Sequence, residues 1–416
     1  MQGLKPALAG DQLVVAIDPG KVAVRVWASR DGELVTAPRT LQTSRAGMAE
    51  LVSIVESAGA SAPLVALEQT GSLHRCWQAA IEARWPGSVR VFAPSETEAA
   101  RAQLSSRRVK TDDRDCAALT WLARQGAGRA QVPAVEALQG AVRHRRGLVA
   151  ASRPLRQRLH DQLNVLCPGL SAPAGHGRVV PLETPTGIAI LACAAAFEGR
   201  APTPRSLIAR APGRLSEANA RFWSERWRGL LAAPPDAGPR AARLGRDLAR
   251  LRCLQADIAA AEVEIAALLA PSAGQVLTSL PGVSVIRAGS FAAFTLPVER
   301  FASAEALYAA TGLAPTSYRS STIERRGAIR RTGLAEHRDA LMGIAWGLSQ
   351  QSPAFRARDR ELRARGKRPI EARVALARHA CRLAYRLLIS QDTFDENRYV
   401  RSRRNRGGDG VSAMPH

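Results

Sequence analysis

Acidic residues are in short supply in this chain: 36 against 59 lysines and arginines in 416 residues, leaving a net charge of +23. A surplus of that size favours a polyanionic partner, nucleic acid first and an anionic membrane surface second. Long apolar runs are missing too. No segment approaches a membrane span, and the opening MQGLKPALAG lacks the apolar centre of a secretory signal. The expectation is a cytoplasmic, nucleoid-associated protein with no membrane partner. The six cysteines (Cys76, Cys116, Cys167, Cys193, Cys253 and Cys381) are scattered, with no CxxC pair and no histidine at ligand spacing. That pattern argues against structural zinc and reads as reduced thiols. Nor does a glycine-rich phosphate loop follow any strand, which disfavours kinase-like phosphoryl transfer.

What is present begins with a 46% share of hydrophobic residues, enough for most of the chain to fold into two or three domains. LVVAI before Asp18 is an apolar run of strand length, and the DPGK that follows reads as a turn. VAVRVWAS alternates like a half-buried strand, and ELVTAPR reads as a third. RAGMAELVSIVESAG then reads as a helix, PLVALE as a strand, GSLHRCWQAAIEARW as a helix, VRVFAP as a strand, and SETEAARAQLSS as a helix capped by Ser95. A further helix opens at VKTDDRDCAALTWLA. Three meandering strands followed by βα units predict an α/β, RNase H-like (RuvC-like) domain.

In that layout Asp18 and Glu68 end two strands that neighbour each other at the sheet centre. Asp112 and Asp115, at i and i+3, share one face of the following helix and can reach the same point. Each residue also has an ordinary reading: Asp18 as a turn residue, Glu68 as an end-of-strand charge, and the aspartates as a first turn capped by Thr111 or Asp112. Jointly, four converging carboxylates cannot all ionise cheaply without cations, so the cluster predicts a metal site, with two Mg²⁺ ions polarising a phosphodiester. Lys21 and Lys110 flank the acids, either touching phosphate or simply solvated.

Residues 135–166 read as a helix that Pro154 kinks or restarts. The Pro- and Gly-rich stretch 168–240 reads as an irregular insertion, with Trp223 and Trp227 on one helical face as packing residues. Residues 242–270 read as a long helix with leucines near heptad spacing, able to pair with the first or with another subunit. VLTSLPGVSVIRAGSFAAF has the form of a helix-hairpin-helix whose turn amides suit a phosphate. TSYRSSTIERRGAIRRTG sets Ser320 and Ser321 among Arg319, Arg325, Arg326, Arg330 and Arg331. It is either a nucleic-acid-binding loop or a nucleophile held beside a phosphate. RDALMGIAWGLSQ and PIEARVALARHACRLAYRLLIS read as closing helices, ahead of a basic tail. The expected domains are 1–130 (RuvC-like), 131–272 (helical, coiled-coil, with the insertion), 273–398 (mostly α, carrying the serine) and 399–416 (a basic disordered tail).

With AIDPGK, ALEQTG, VKTDDRDCAAL, the arginine-rich helix ending in CPGL, LPGVSVIRAGSFAAF, ALYAATGLAP and YRSS in place, the chain resembles the insertion-sequence-110 family of DEDD transposases over nearly its whole length. The family's alanine after the last aspartate is Cys116 here, and its Ser-Gly step is Ser320-Ser321. The resemblance implies that Asp18, Glu68, Asp112 and Asp115 bind Mg²⁺ and that Ser320 is the nucleophile of a transposase or recombinase acting on double-stranded DNA. It further implies a structured guide RNA encoded by the element and a homo-oligomer, dimer or tetramer. Two other functions fit the residues: a Holliday-junction-type nuclease using water, and a non-catalytic nucleic-acid-binding scaffold.

Overall fold

A computed structural model describes residues 11–104, 111–130, 133–170, 182–196, 200–320, 323–329 and 333–401. Lys110, Ser321, Arg330, Arg331 and most of the expected basic tail lie outside the described residues. The chain divides into two compact units, Met1–Glu136 and Ala137–His416.

The first unit is built on one mixed sheet. β1 (Val14–Pro19) pairs antiparallel with β2 (Ala23–Arg30), and β2 carries β3 (Glu33–Leu34) at one end and β4 (Arg39–Gln42) at the other. The third strand expected at ELVTAPR is therefore displaced. Pro38, which has no N–H to donate, separates the two short strands. After α1 (Arg45–Ser57), β5 (Leu64–Glu68) pairs parallel with β1; after α2 (His74–Arg84), β6 (Val89–Phe92) extends the sheet to the order β3-β2-β1-β5-β6. α3 (Pro94–Leu104) and α4 (Asp112–Arg124) close the unit and pack on each other. α3 starts one residue before Ser95. Proline takes its first position and the Glu96 carboxylate receives the Ala93 N–H at 2.6 Å, so Ser95 is not the cap.

Period-2 alternation divides the sheet cleanly. Val15, Ile17, Val24, Val26, Val65 and Leu67 pack in one core with α1 and α2, while Val14, Ala16, Leu64 and Ala66 pack with Cys116, Leu119 and Ala123 of α4 on the other face.

Among the described residues the second unit is helical apart from one hairpin. α5 (Pro133–Leu166) runs through Pro154 as one 34-residue helix. Among its described residues, the stretch read as irregular holds α6 (Pro185–Ala195), α7 (Pro204–Arg210) and α8 (Glu217–Arg228). Thr184, Thr203 and Ser216 cap them, and the prolines of the two Thr-Pro steps sit in the first turns. Their apolar faces, with Trp223, complete a core with Leu155, Leu159, Leu163 and Leu166 of α5 and Leu244, Leu248 and Leu251 of α9 (Ala237–Leu269). Arg145 meets Glu262 and Gln162 meets Asp247, so α5 and α9 pair antiparallel within one chain. Val263, which falls near the same heptad spacing as the leucines, is exposed rather than on the seam.

A 3-10 turn over Ala273–Ser279, rather than an α-helix, precedes the LPG turn and α10 (Val285–Thr295). α11 (Ala304–Ala310) leads to the hairpin β7 (Pro315–Ser320) and β8 (Ile323–Ile329), where a loop was expected. α12 (Ala335–Gln351), α13 (Pro353–Ala364) and α14 (Pro369–Ser390) follow. Among the described residues no helix is long and apolar enough to cross a membrane.

Candidate functional site

Ile17 and Leu67 are register partners on parallel strands, so Asp18 and Glu68 follow side by side. Alternation puts both on the α4 face, with Val14 and Ala16 on one strand and Leu64 and Ala66 on the other. Glu68 is only 8% exposed, and its Oε2 accepts the Thr70 hydroxyl at 2.7 Å. Asp18 is half-buried.

α4 brings its first turn to this edge. Thr111 caps it by accepting the Arg114 N–H, and Asp112, Asp113 and Asp115 all lie in the first turn, where the helix dipole favours negative charge. The ordinary helix-start reading is thus correct and coexists with the site. Cys116 anchors the turn: its thiol donates to the Arg25 carbonyl at 3.5 Å, and burial, together with the Asp18 charge, holds it well above the ordinary thiol range. Asp112 is exposed, while Asp115 is 2% exposed and ion-paired with Arg101 of α3, Nη1 to Oδ1 at 2.6 Å.

Asp113, outside the i, i+3 pair, is bound as well. Arg25 donates Nε to Oδ1 at 2.6 Å and Nη2 to Oδ2 at 3.3 Å, and Trp27 Nε1 donates to Oδ1 at 3.1 Å. These hydrogen bonds, Arg25's foremost, hold the Asp113 carboxyl below its usual range and raise Arg25. Arg25 is also the cross-strand register partner of Asp18. Sequence reasoning missed Arg25, Trp27 and Arg101. The alternation of β2 could have put Arg25 and Trp27 on the acidic face, whereas nothing local marks Arg101.

A divalent cation fits this edge by its donor chemistry. Carboxylate oxygens are hard ligands of the kind Mg²⁺ takes, and two strand ends and a helix start supply them from one side of the sheet. The side chains do not form a finished cage: among the described residues no three acids, histidines or cysteines lie close enough to hold a metal ion. Lys21 is exposed beside the turn.

Residues 15–168, from β1 to just past α5, match the family model for DEDD transposases of the IS110 type, and residues 274–360 match that of the transposase IS116/IS110/IS902 family. The chain belongs to the IS110 family of transposases. It is a DNA-recombining enzyme, and its substrate is DNA. No curated protein matches the chain.

In the second unit of the transposase, Ser320 is the last residue of β7, with Ile323 as its register partner. Arg319 is opposite Glu324, Arg325 opposite Tyr318, and Arg326 opposite Ser317. The expected cationic loop is thus a paired ribbon. A second basic element was not expected. α13 exposes Arg356, Arg360 and Arg363, and the connector to α14 exposes Arg365, Lys367 and Arg368. Its buried side is held by Phe355 and Leu362. The alternation of arginine with Ala, Asp and Glu in PAFRARDRELRA hides a helix whose inward positions are only two.

Proposed function

We propose that the transposase cuts and rejoins DNA strands with a Mg²⁺-binding carboxylate set, Asp18, Glu68, Asp112 and Asp115, and Ser320 as nucleophile. The order β3-β2-β1-β5-β6, with an antiparallel β2 and parallel β5 and β6, supports reading the first unit as RNase H-like. The observation that carries the metal reading is the side-by-side placement of Asp18 and Glu68 on the face covered by α4. Bound there, two divalent ions would neutralise the scissile phosphate and the charge that develops in the transition state.

Asp18 and Glu68 would hold the ions from the strands, and Asp112 and Asp115 from the helix. Ser320 Oγ attacks phosphorus and loses its proton to a base; the Oγ–P bond forms as a P–O bond of the strand breaks. The phosphoserine link conserves the ester until a hydroxyl of a second strand attacks it and restores the serine. Lys21, Lys110, Arg319, Arg325, Arg326, Arg330 and Arg331, and the exposed cations of α13, bind phosphates. A structured guide RNA and a homo-oligomer, dimer or tetramer, complete the reading. The net charge of +23 supports a second nucleic-acid partner.

The test is cleavage and strand exchange on supercoiled DNA carrying the element's ends, with Mg²⁺ and any co-purifying RNA. Wild type is compared with Ser320→Ala, Ser321→Ala and Asp115→Asn. The expected result is a protein-linked DNA species that Ser320→Ala and Asp115→Asn abolish and Ser321→Ala retains. Cutting by Ser320→Ala, with only Asp115→Asn inert, would instead mean a nuclease that uses water.

A further inference from the structure

We propose that Arg101 is a positioning residue that holds the Asp115 carboxylate in place and competes with a divalent cation for it. This rests on the reading of Asp115 as a metal ligand.

Arg101 lies in the last turn of α3, and α3 packs directly on α4. Its Nη1 stands 2.6 Å from Asp115 Oδ1, and both atoms are closed to solvent. The contact is a close ion pair rather than an aligned hydrogen bond, so its strength is charge on charge. A guanidinium does not lose its proton in a protein, and its charge at this carboxylate is therefore permanent.

The neighbouring acids show how specific the arrangement is. Asp113 has its own arginine, Arg25, in a forked contact at the partly exposed outer end of the turn. Asp112 is exposed. Of the three acids in the turn, Asp115 is the most buried, and it has a cation from a different helix. An uncompensated carboxylate buried to this degree would strongly oppose folding. Arg101 offsets part of that penalty without a metal ion, and by the same charge it repels an incoming ion. Cation binding and the Arg101 contact thus draw on one carboxylate, and the ion's affinity is set partly by how readily Arg101 withdraws.

The experiment uses the full-length protein with Mn²⁺ as probe, reading Mn²⁺ affinity by electron paramagnetic resonance and melting temperature in EDTA and in saturating Mn²⁺. Arg101→Gln is expected to melt lower than wild type in EDTA yet to bind Mn²⁺ roughly tenfold more tightly, because one repelling charge is gone. Its gain in melting temperature on adding Mn²⁺ should exceed that of wild type. Arg101→Lys, which keeps the charge, should fall between the two, and it carries the test if the glutamine variant does not fold.

Equal losses of melting temperature in EDTA and Mn²⁺, with unchanged affinity, would overturn the proposal and leave Arg101 as an ordinary ion pair. Asp115→Asn separates the two levels. If it abolishes Mn²⁺ binding while Arg101→Gln leaves it unchanged, only the proposal fails. If wild type and Asp115→Asn bind alike, or neither binds, the metal reading of Asp115 fails and takes the proposal with it.

Discussion

Arg25 and Asp113, 88 residues apart in sequence, meet through two nitrogen–oxygen contacts of 2.6 and 3.3 Å. The same Arg25 accepts the Cys116 thiol on its carbonyl. One β2 residue therefore grips α4 at two points of its first two turns, beside the strand that carries Asp18. Asp113→Asn, which keeps shape and removes charge, is expected to lower unfolding free energy by about 1 kcal/mol, a charged hydrogen bond discounted for its partial exposure. Denaturant midpoints check it. Arg25→Lys should not restore the forked contact and should show a similar loss.

The turn before α10 gives a second prediction. Gly282 has φ +72°, and a Cβ there would stand 2.4 Å from the Gly347 carbonyl oxygen of α12. Gly347 is constrained in return, since a Cβ added there would collide with the Gly282 carbonyl oxygen. The glycine in LPGV thus serves close packing between backbones, whatever else the turn does. Gly282→Ala should destabilise the fold by roughly 2–4 kcal/mol through overpacking and a left-handed backbone. Thermal melting measures it, and a loss below about 0.5 kcal/mol would show that the contact relaxes freely.

How much of this was readable beforehand differs between the two units. In the first unit, alternation and short βα spacing predicted the sheet, and the strand ends carried Asp18 and Glu68 to one place. The errors were local: Pro38 split a strand, and Pro94 moved a helix start. In 168–240 the same residue types misled. Pro185 and Pro204 looked like breakers, but each follows a threonine and starts a helix, so Thr-Pro was the overlooked signal. Alternation along β2 could have put Arg25 on the acidic face, but nothing local pairs Arg101 with Asp115, because side-chain pairing between helices leaves no periodic trace.

His337 supplies a pH prediction. It is 3% exposed, its Nε2 lies 3.0 Å from Thr295 Oγ1, and burial foremost, then the Arg300 charge, lowers its pKa to about 3. The unfolded chain takes up this proton near pH 6.5 and the folded chain only near 3. Stability from this group is thus complete above pH 6.5 and is lost as pH falls toward 3, by up to about 5 kcal/mol. Urea denaturation of wild type and His337→Gln at pH 7 and pH 4.5 should show a smaller pH dependence in the variant. Parallel curves would refute the assignment.

The exposed cations of α13 predict a salt effect. Arg360→Ala with Arg363→Ala should weaken binding to any duplex about equally across sequences. Each lost phosphate contact should reduce the slope of log affinity against log salt by about 1. Fluorescence anisotropy at several salt concentrations reads both quantities. An unchanged slope would mean that this face does not touch the backbone.

The antiparallel pairing of α5 with α9 also bears on how the chain is made. Leu155, Leu159 and Leu163 share a core with Leu244, Leu248 and Leu251, which leave the ribosome roughly 80 residues later, a delay of about 4–16 s at ordinary translation speeds. During that interval the leucine face of α5 would stand open to water. Ile190 and Leu191 of α6 arrive sooner and pack in the same core. The segment between the two long helices can therefore act as an early cover for a nascent apolar stripe, and shortening it should raise aggregation during synthesis more than it lowers the stability of the finished protein.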